Sequence, residues 1–417
     1  MSTKLGRIAS SKLILALLFF GWSIANLNRF SINYAILDIA GEFGLNASLN
    51  GLIMSSFFVG YAIMQIPGGL LADKFGAKKV LIFSVTLGAV AAVLTGFSWS
   101  LPSLIAFRFI SGVATGIFFP TASKTIALSF PTDMQGKAMS VLLVAGAIVA
   151  AVSSVLFAWI IDTLGWHVLF YLSGACGIFV LALYLPFFNV SPAVNSQTDH
   201  QPESTKENRS PLKQIIRVPM VWAMFTSGFC VSMITWGINS WIPTVLVQVR
   251  HLELIQAGKS QIIPLICGVI AMLLCGILID KMSAEKIRIT AIVLSFLASA
   301  SVYIMYSTPK LALFFLFEGI AVACVTAVYV IINNLIMKRF PPEMTGSAIG
   351  FVNFGSQSGS FTAPFAIGLF VDANNGSFTV AFMFLALAAV LSALAFIPKR
   401  FYKNETASND SMPVIKH

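Results

Sequence analysis

Three ionisable side chains sit inside stretches that are otherwise apolar. Arg29 lies in "NLNRFSIN" between the runs "LILALLFFGWSIA" and "YAIL", Arg108 in "SLIAFRFISGV" and Glu318 in "LFFLFEGIAV". A charge near the middle of a membrane costs about 2.5 to 3.5 kcal/mol on the insertion scale, so something must offset it. A guanidinium never loses its charge and its planar fork matches a carboxylate in two parallel hydrogen bonds. The two arginines therefore suggest an anion site, and the lone carboxyl a proton carrier. Competing roles stay open: Arg29 bonding helix carbonyls or snorkelling, and Arg108 held by Glu318 in a permanent bridge.

Polar and aromatic residues that could complete such a site recur at helical spacing. Tyr61 and Gln65 are one turn apart in "YAIMQIPGG". "TWGINSWIP" supplies Trp236, Asn239 and Trp241, and "GFVNFGSQSGSFTAP" supplies Asn353, Ser356 and Gln357. The candidate substrate-binding set is Arg29, Tyr61, Gln65, Arg108, Asn239, Trp241, Asn353 and Gln357, with Glu318 as the proton-coupling candidate. For each amide, hydrogen bonding between helices is the competing role.

The elements that must carry these residues are membrane spans. Of 417 residues, 57% are hydrophobic and only 10% charged, against about 25% charged in soluble domains. A spanning helix needs roughly 20 apolar residues. Twelve stretches qualify: 13–36, 50–72, 79–98, 101–128, 137–161, 166–188, 218–246, 260–280, 288–307, 310–337, 345–371 and 376–398. The first is too long for a signal peptide and lacks a cleavage site, so it is expected to stay. By this count Arg29 and Arg108 each lie seven residues from an outer span end, roughly 10 Å deep. Glu318 falls at a similar depth in the other half.

The basic pI of 9.4 has a topological explanation. With the N-terminus cytoplasmic, all 26 Lys and Arg fall on the cytoplasmic side except Arg250, Lys259, Lys310 and the two buried arginines. That follows the positive-inside rule, puts both termini in the cytoplasm and removes the need for a nucleic-acid partner. The five cysteines all lie in apolar spans with no CxxC pair, as small hydrophobes. No phosphate loop GxxxxGK[ST] occurs, so ATP is not the direct energy source. The four histidines lie in loops or near span ends, which gives no metal site. No cofactor and no enzymatic activity are expected. Gly112 and Gly116 form a GxxxG pair that suits close helix packing.

Residues 189–217, rich in Ser, Pro, Asn and charge, divide the chain. The expected organisation is a six-helix bundle over 1–188, a cytoplasmic linker over 189–217, a second six-helix bundle over 218–400 and a tail over 401–417. The halves repeat one another. "GGLLADKFG" returns as "CGILIDKMS", pairing Gly69, Asp73 and Lys74 with Gly276, Asp280 and Lys281 at an offset of 207; "FPTDMQGKAM" returns as "FPPEMTGSAI" at 210, and Asp162 falls on Asp372 at that same offset. Parallel six-span repeats are the build of the major facilitator fold.

"GGLLADKFGAKK" resembles the major facilitator loop signature, with Ala77 off-pattern. The resemblance implies a conformational latch using Gly69, Asp73, Lys74, Gly76 and, in the second copy, Asp280 and Lys281. Asp73 is expected to meet a helix N-terminus or a basic residue across the bundle. Further segments resemble one branch, the anion:cation symporters, which includes hexuronate, glucarate, galactonate and phthalate permeases and sialin-type carriers. They are "NRFSINYA", "YAIMQIPGGLLADKFGAKK" and "RFISGVATGIFFPTASKTIALSFPTDMQGKAMS". That branch carries an Asp-Arg pair in span 1 and an Arg followed seven positions later by a Glu in span 4. Here Arg29 and Arg108 match, but Asn28 and Thr115 replace the acids implied in proton coupling.

The resemblance implies an all-α secondary transporter of a small organic anion, a sugar acid or other carboxylate. It is expected in the cell (inner) membrane as a monomer, with the lipid bilayer and a co-transported proton as its other partners. With both family acids missing, Glu318 is the remaining membrane-placed proton carrier. Cation-independent exchange, downhill efflux and a neutral substrate compete with that coupling. Efflux of hydrophobic or drug-like compounds, and a transporter-fold sensor, are the alternatives to anion transport.

Overall fold

The computed structural model describes residues 2–188, 211–279, 281–340 and 342–398. Asp280, most of the linker and the tail lie outside them. Every described element is helical: α1 (Ser2–Phe43), α2 (Ala47–Phe75), α3 (Ala77–Gly96), α4 (Leu101–Ser129), α5 (Thr132–Leu164), α6 (Trp166–Phe187), the short α7 (Pro211–Ile216), α8 (Pro219–Gln248), the short α9 (Leu254–Ser260), α10 (Ile262–Ile279), α11 (Ala284–Ser307), α12 (Leu311–Arg339), α13 (Pro342–Ala373) and α14 (Thr379–Ala395). Among the described residues, ten helical stretches are long and apolar enough to cross a membrane.

Each of the twelve expected spans falls on a long helix, with two adjustments. The eighth is broken at Gln261 into α9 and α10, and α1 runs on to Phe43 instead of ending near residue 36. The turns follow local chemistry. Asn46 caps α2, its side chain accepting from the Leu49 N–H at 3.0 Å. Gly76 and Gly165 take φ of +82° and +84° at the α2–α3 and α5–α6 turns, a region open to glycine at little cost.

Helices α1 to α6 pack on one another, as do α8 to α14. The GxxxG pair does the expected work within the first bundle. A Cβ added at Gly112 would stand 1.9 Å from the Phe57 carbonyl oxygen, and one at Gly116 2.6 Å from that of Tyr61. Gly112→Val is therefore expected to push α4 off α2 and cost about 1 to 3 kcal/mol, read as a lowered melting temperature in detergent.

The two bundles meet along a seam. There α2 packs along α13, α1 against α8 and α5 against α9 and α10. Gly51 and Gly368 let the backbones touch: a Cβ on either would come within 2.3 Å of a carbonyl oxygen across the seam, Pro364 or Ala47. Ser55 donates to the Phe361 carbonyl at 2.7 Å and Asn33 to that of Asn239 at 3.2 Å. The end that carries the α1–α2 loop is called the closed end. The other end carries the α2–α3 turn. Ile66 and Leu70 of α2 are 77% and 62% exposed there.

The closed end is fastened by an acid that the repeat singled out. Asp372, at the last turn of α13, accepts from the backbone N–H of Ala47 at 3.0 Å and of Ser48 at 2.8 Å, and from the Ser48 hydroxyl. It caps the N-terminus of a helix in the opposite bundle, where the helix dipole also favours a negative charge. Partial desolvation would raise its carboxyl, but the bonds from Ser48 and Ala47 outweigh it and hold the group below the usual carboxylate range. A lowered pKa means that the fastening is fully present above the ordinary carboxylate range and is lost as pH falls through the lowered value. Asp372→Asn is expected to loosen this end at neutral pH. A thiol placed at Ser55, buried behind the cap, should then react several-fold faster with an impermeant maleimide; an unchanged rate would show the cap to be dispensable.

Candidate functional site

Arg29 occupies the seam between the bundles in a cage of aromatic rings. Its guanidinium carbon lies 3.7 Å from the ring centre of Trp236, 5.1 Å from Phe58, 5.3 Å from Tyr61 and 5.9 Å from Phe57. Trp236 comes from α8 and the other three from α2. Cation–π attraction is worth about 2 kcal/mol or more where water is excluded, which is comparable to the insertion cost of the charge. The rings therefore offset that cost without consuming the N–H groups. Arg29 makes no hydrogen bond to protein among the described residues, and its Nε is buried without a partner.

The other arginines inside the fold are used differently. Arg108 is 1% exposed, donates from Nη1 to the Asn28 carbonyl at 2.6 Å and packs against the far side of the same aromatic cluster, 5.0 Å from the Phe57 centre. Arg250 donates to the Tyr306 and Thr308 carbonyls, and Arg288 to Glu285 and the Phe396 and Ile397 carbonyls. Arg108 is thus packed into the first bundle, its Nε, like that of Arg29, buried without a partner. No Arg108–Glu318 ion pair forms, since Glu318 lies across the seam on another surface. The expected common depth also changes: with α1 running to Phe43, Arg29 lies roughly 21 Å from the helix end.

Around Arg29, Tyr61 and Gln65 stand one turn apart on α2, and the Gln65 amide nitrogen is buried without a partner. Tyr329 of α12 lies within electrostatic range of both Arg29 and Tyr61 and remains 41% exposed on the open side. Gln357 of α13 leaves its side-chain oxygen unpartnered, and Asn353 one turn away is partly exposed. Asn239 donates within its own helix to the Thr235 carbonyl while its backbone oxygen holds Asn33. Trp241 is 1% exposed, its indole N–H donates to the Pro364 carbonyl at 3.0 Å and its ring packs on Phe378. It fastens α8 to α13. Phe58 and Tyr329 stand outside the candidate set, as does Trp236, which the sequence offers beside Asn239 and Trp241 in "TWGINSWIP".

Glu318 is fully buried on α12, and neither carboxyl oxygen has a hydrogen-bond partner. Gln261 stands close by with its amide nitrogen also unpartnered. Across the seam, Tyr34 of α1 lies within electrostatic range of Glu318 and close to Ser154 of α5, whose hydroxyl donates to the Ala151 carbonyl at 2.9 Å. Glu318 is therefore a seam residue of the closed end. A buried, unpaired carboxylate costs several kcal/mol, so this seam closes far more readily over the neutral acid.

Asn28 and Thr115 line one small cavity in the first bundle, about 10 Å³, beside Ser84 and Gly88. Asn28 donates to the Gly88 carbonyl at 3.2 Å and Thr115 to that of Ser111 at 2.9 Å. The two positions that depart from the resembled pattern are thus neighbours, both filled by neutral groups. In the loop signature, Asp73 pairs with Lys124 of α4 inside the same bundle, Lys74 lies over the Phe75 ring at 5.3 Å, and Lys281 is exposed. Of the cysteines, Cys176 is exposed on the apolar flank of α6 and Cys230 and Cys324 are buried, all without disulfides.

The model of the Major Facilitator Superfamily matches residues 16–364. Among curated proteins, the chain is 27% identical over 406 residues to the probable sulfoacetate transporter SauU of Cupriavidus necator, covering 93% of this chain and 94% of that one. It is 28% identical over 428 residues to the probable galactarate/D-glucarate transporter GudP of Escherichia coli, covering 92% of each. Among solved structures, a bacterial homologue of the human lysosomal transporter Spinster, inward-facing and unoccupied, superposes with a TM-score of 0.79 at 15% identity over 94% of this chain and 98% of that one. The nucleoside transporter NupG, as a D323A mutant, gives 0.74 at 16% identity over 94% and 100%. Two helical bundles closed at one end around a buried cation, with a family match over most of the length, make this chain a multi-pass membrane transport protein that belongs to the Major Facilitator Superfamily.

Proposed function

We propose that this chain is a secondary transporter of a small organic anion, a sugar acid or related carboxylate, working by rocking of its two bundles about the Arg29 site. The observation that carries the reading is the Arg29 guanidinium, stabilised by rings at the seam with its N–H groups unspent. The names of its relatives, a sulfoacetate and a galactarate/D-glucarate transporter, support an anionic, carboxylate-bearing cargo. Tyr61, Gln65, Tyr329, Asn353 and Gln357 supply hydroxyl and amide groups suited to a polar solute. The distribution of Lys and Arg supports placing the open end in the cytoplasm, so that the closed end faces outward.

Glu318 is the proton-binding group in this reading. It takes a proton when the outer seam is open to water, and the seam then closes over the neutral acid. Tyr34, on α1 between Arg29 and the outer end, is the polar group through which the proton reaches the cavity. An inside-negative potential opposes anion entry by about 2.3 kcal/mol per charge per 100 mV, and each accompanying proton cancels one charge. One carboxyl suffices for electroneutral uptake of a monoanion; a dianion would still carry one net negative charge inward. Uptake of labelled carboxylates into proteoliposomes tests the proposal, with saturable uptake of at least one sugar acid expected and none overturning it.

A further inference from the structure

The face of the Arg29 guanidinium and its edge have different neighbours. At 3.7 Å the Trp236 ring lies in stacking contact with the face, while the edge carries an unpartnered Nε. Trp236 is itself held in place: Phe30 stacks on it with ring centres 5.8 Å apart and Phe58 meets it edge-on at 4.9 Å. These contacts join α8 to α1 and α2, so the orientation of Arg29 in one bundle is set by a ring from the other. A guanidinium stacked in this way cannot receive an oxyanion on its covered face.

We propose that Trp236 is the positioning residue of the anion site, fixing the plane of Arg29 so that only its N–H edge meets solute and the site selects planar carboxylates over tetrahedral oxyanions. A carboxylate binding edge-on stays coplanar with the guanidinium and continues the slab beside the rings. A tetrahedral head group places oxygens out of that plane, toward Trp236 or Phe58. Because the ring and the guanidinium belong to different bundles, rocking that separates them frees the Arg29 plane and weakens the grip on the anion. The inference rests on the anion-transport reading above.

The test uses the purified full-length protein and the concentration dependence of its melting temperature with D-glucarate, succinate, sulfoacetate and inorganic phosphate. The wild type is expected to bind at least one carboxylate at least about tenfold more tightly than phosphate. Affinity across Trp236→Tyr, Trp236→Phe and Trp236→Leu should fall in that order, following the strength of the ring as a cation–π partner, with about a tenfold loss at leucine. The carboxylate preference over phosphate should narrow in parallel. In an Arg29→Ala background, Trp236→Leu should cause no further loss, because Trp236 acts through Arg29. Should the leucine variant not fold, the Tyr and Phe variants carry the test. Equal affinity and preference across the folded variants would overturn the role of Trp236, as would equal loss in all of them, which marks the indole as packing only. If no carboxylate shifts the wild-type melting temperature, the anion reading itself falls and this inference falls with it.

Discussion

An Arg29→Ala carrier is expected to fold and reach the membrane yet lose sugar-acid uptake by at least about 30-fold at low substrate concentration. That is the scale of loss when one partner of a desolvated charge pair is removed. The fold should survive because Arg29 bonds no protein acceptor, so its removal orphans nothing; what disappears is a cation stabilised by four rings. Arg29→Lys keeps the charge but not the fork, and is expected to recover only part of the uptake. Arg108 gives the contrast. Its guanidinium serves the Asn28 carbonyl inside the first bundle, so Arg108→Met should lower the melting temperature and leave substrate preference unchanged. Labelled uptake measured beside thermal melting separates the two arginines, and a full transport rate in Arg29→Ala would remove it from the site.

Glu318→Gln is the second large effect. Glutamine keeps the shape of the neutral acid in the seam and cannot release a proton. Wild-type uptake should rise several-fold under an imposed gradient that is acid on the outer side, and accumulation should follow that gradient. In the glutamine variant the stimulation should vanish while exchange of labelled for unlabelled solute persists within about threefold, because closure no longer awaits a proton. The burial of Glu318 without a partner, together with neutral Asn28 and Thr115 in the other bundle, motivates this outcome. Gradient-driven accumulation that survived in Glu318→Gln would assign the coupling elsewhere or remove it.

The helical frame was legible in the sequence because twenty-residue apolar runs leave the chain few choices in a bilayer. The repeat also pointed to Asp73 and Asp372, both of which make specific contacts. What could not be read was helix rotation. Trp236 and Trp241 are five residues apart, about 140° around a helix, and composition favours neither; in the fold Trp236 meets Arg29 and Trp241 meets the Pro364 carbonyl. Arg29 and Arg108 looked equivalent by depth. They differ because the Asn28 carbonyl lies beside one guanidinium while a tryptophan from the other bundle covers the other. Tyr329 reads in the sequence as one more aromatic residue in an apolar span, and only the folded arrangement brings it within electrostatic range of Arg29. The surroundings of Arg29 thus depend on contacts between bundles, which the periodicity of single helices does not encode.

The most direct measurement is counterflow in proteoliposomes loaded with unlabelled sugar acid, followed as entry of labelled D-glucarate or a labelled monocarboxylic sugar acid. Wild-type protein should show a transient overshoot of label that is absent in Arg29→Ala and retained in Glu318→Gln. No overshoot with any carboxylate in the wild type, or an overshoot undiminished in Arg29→Ala, would contradict an anion carrier built on Arg29.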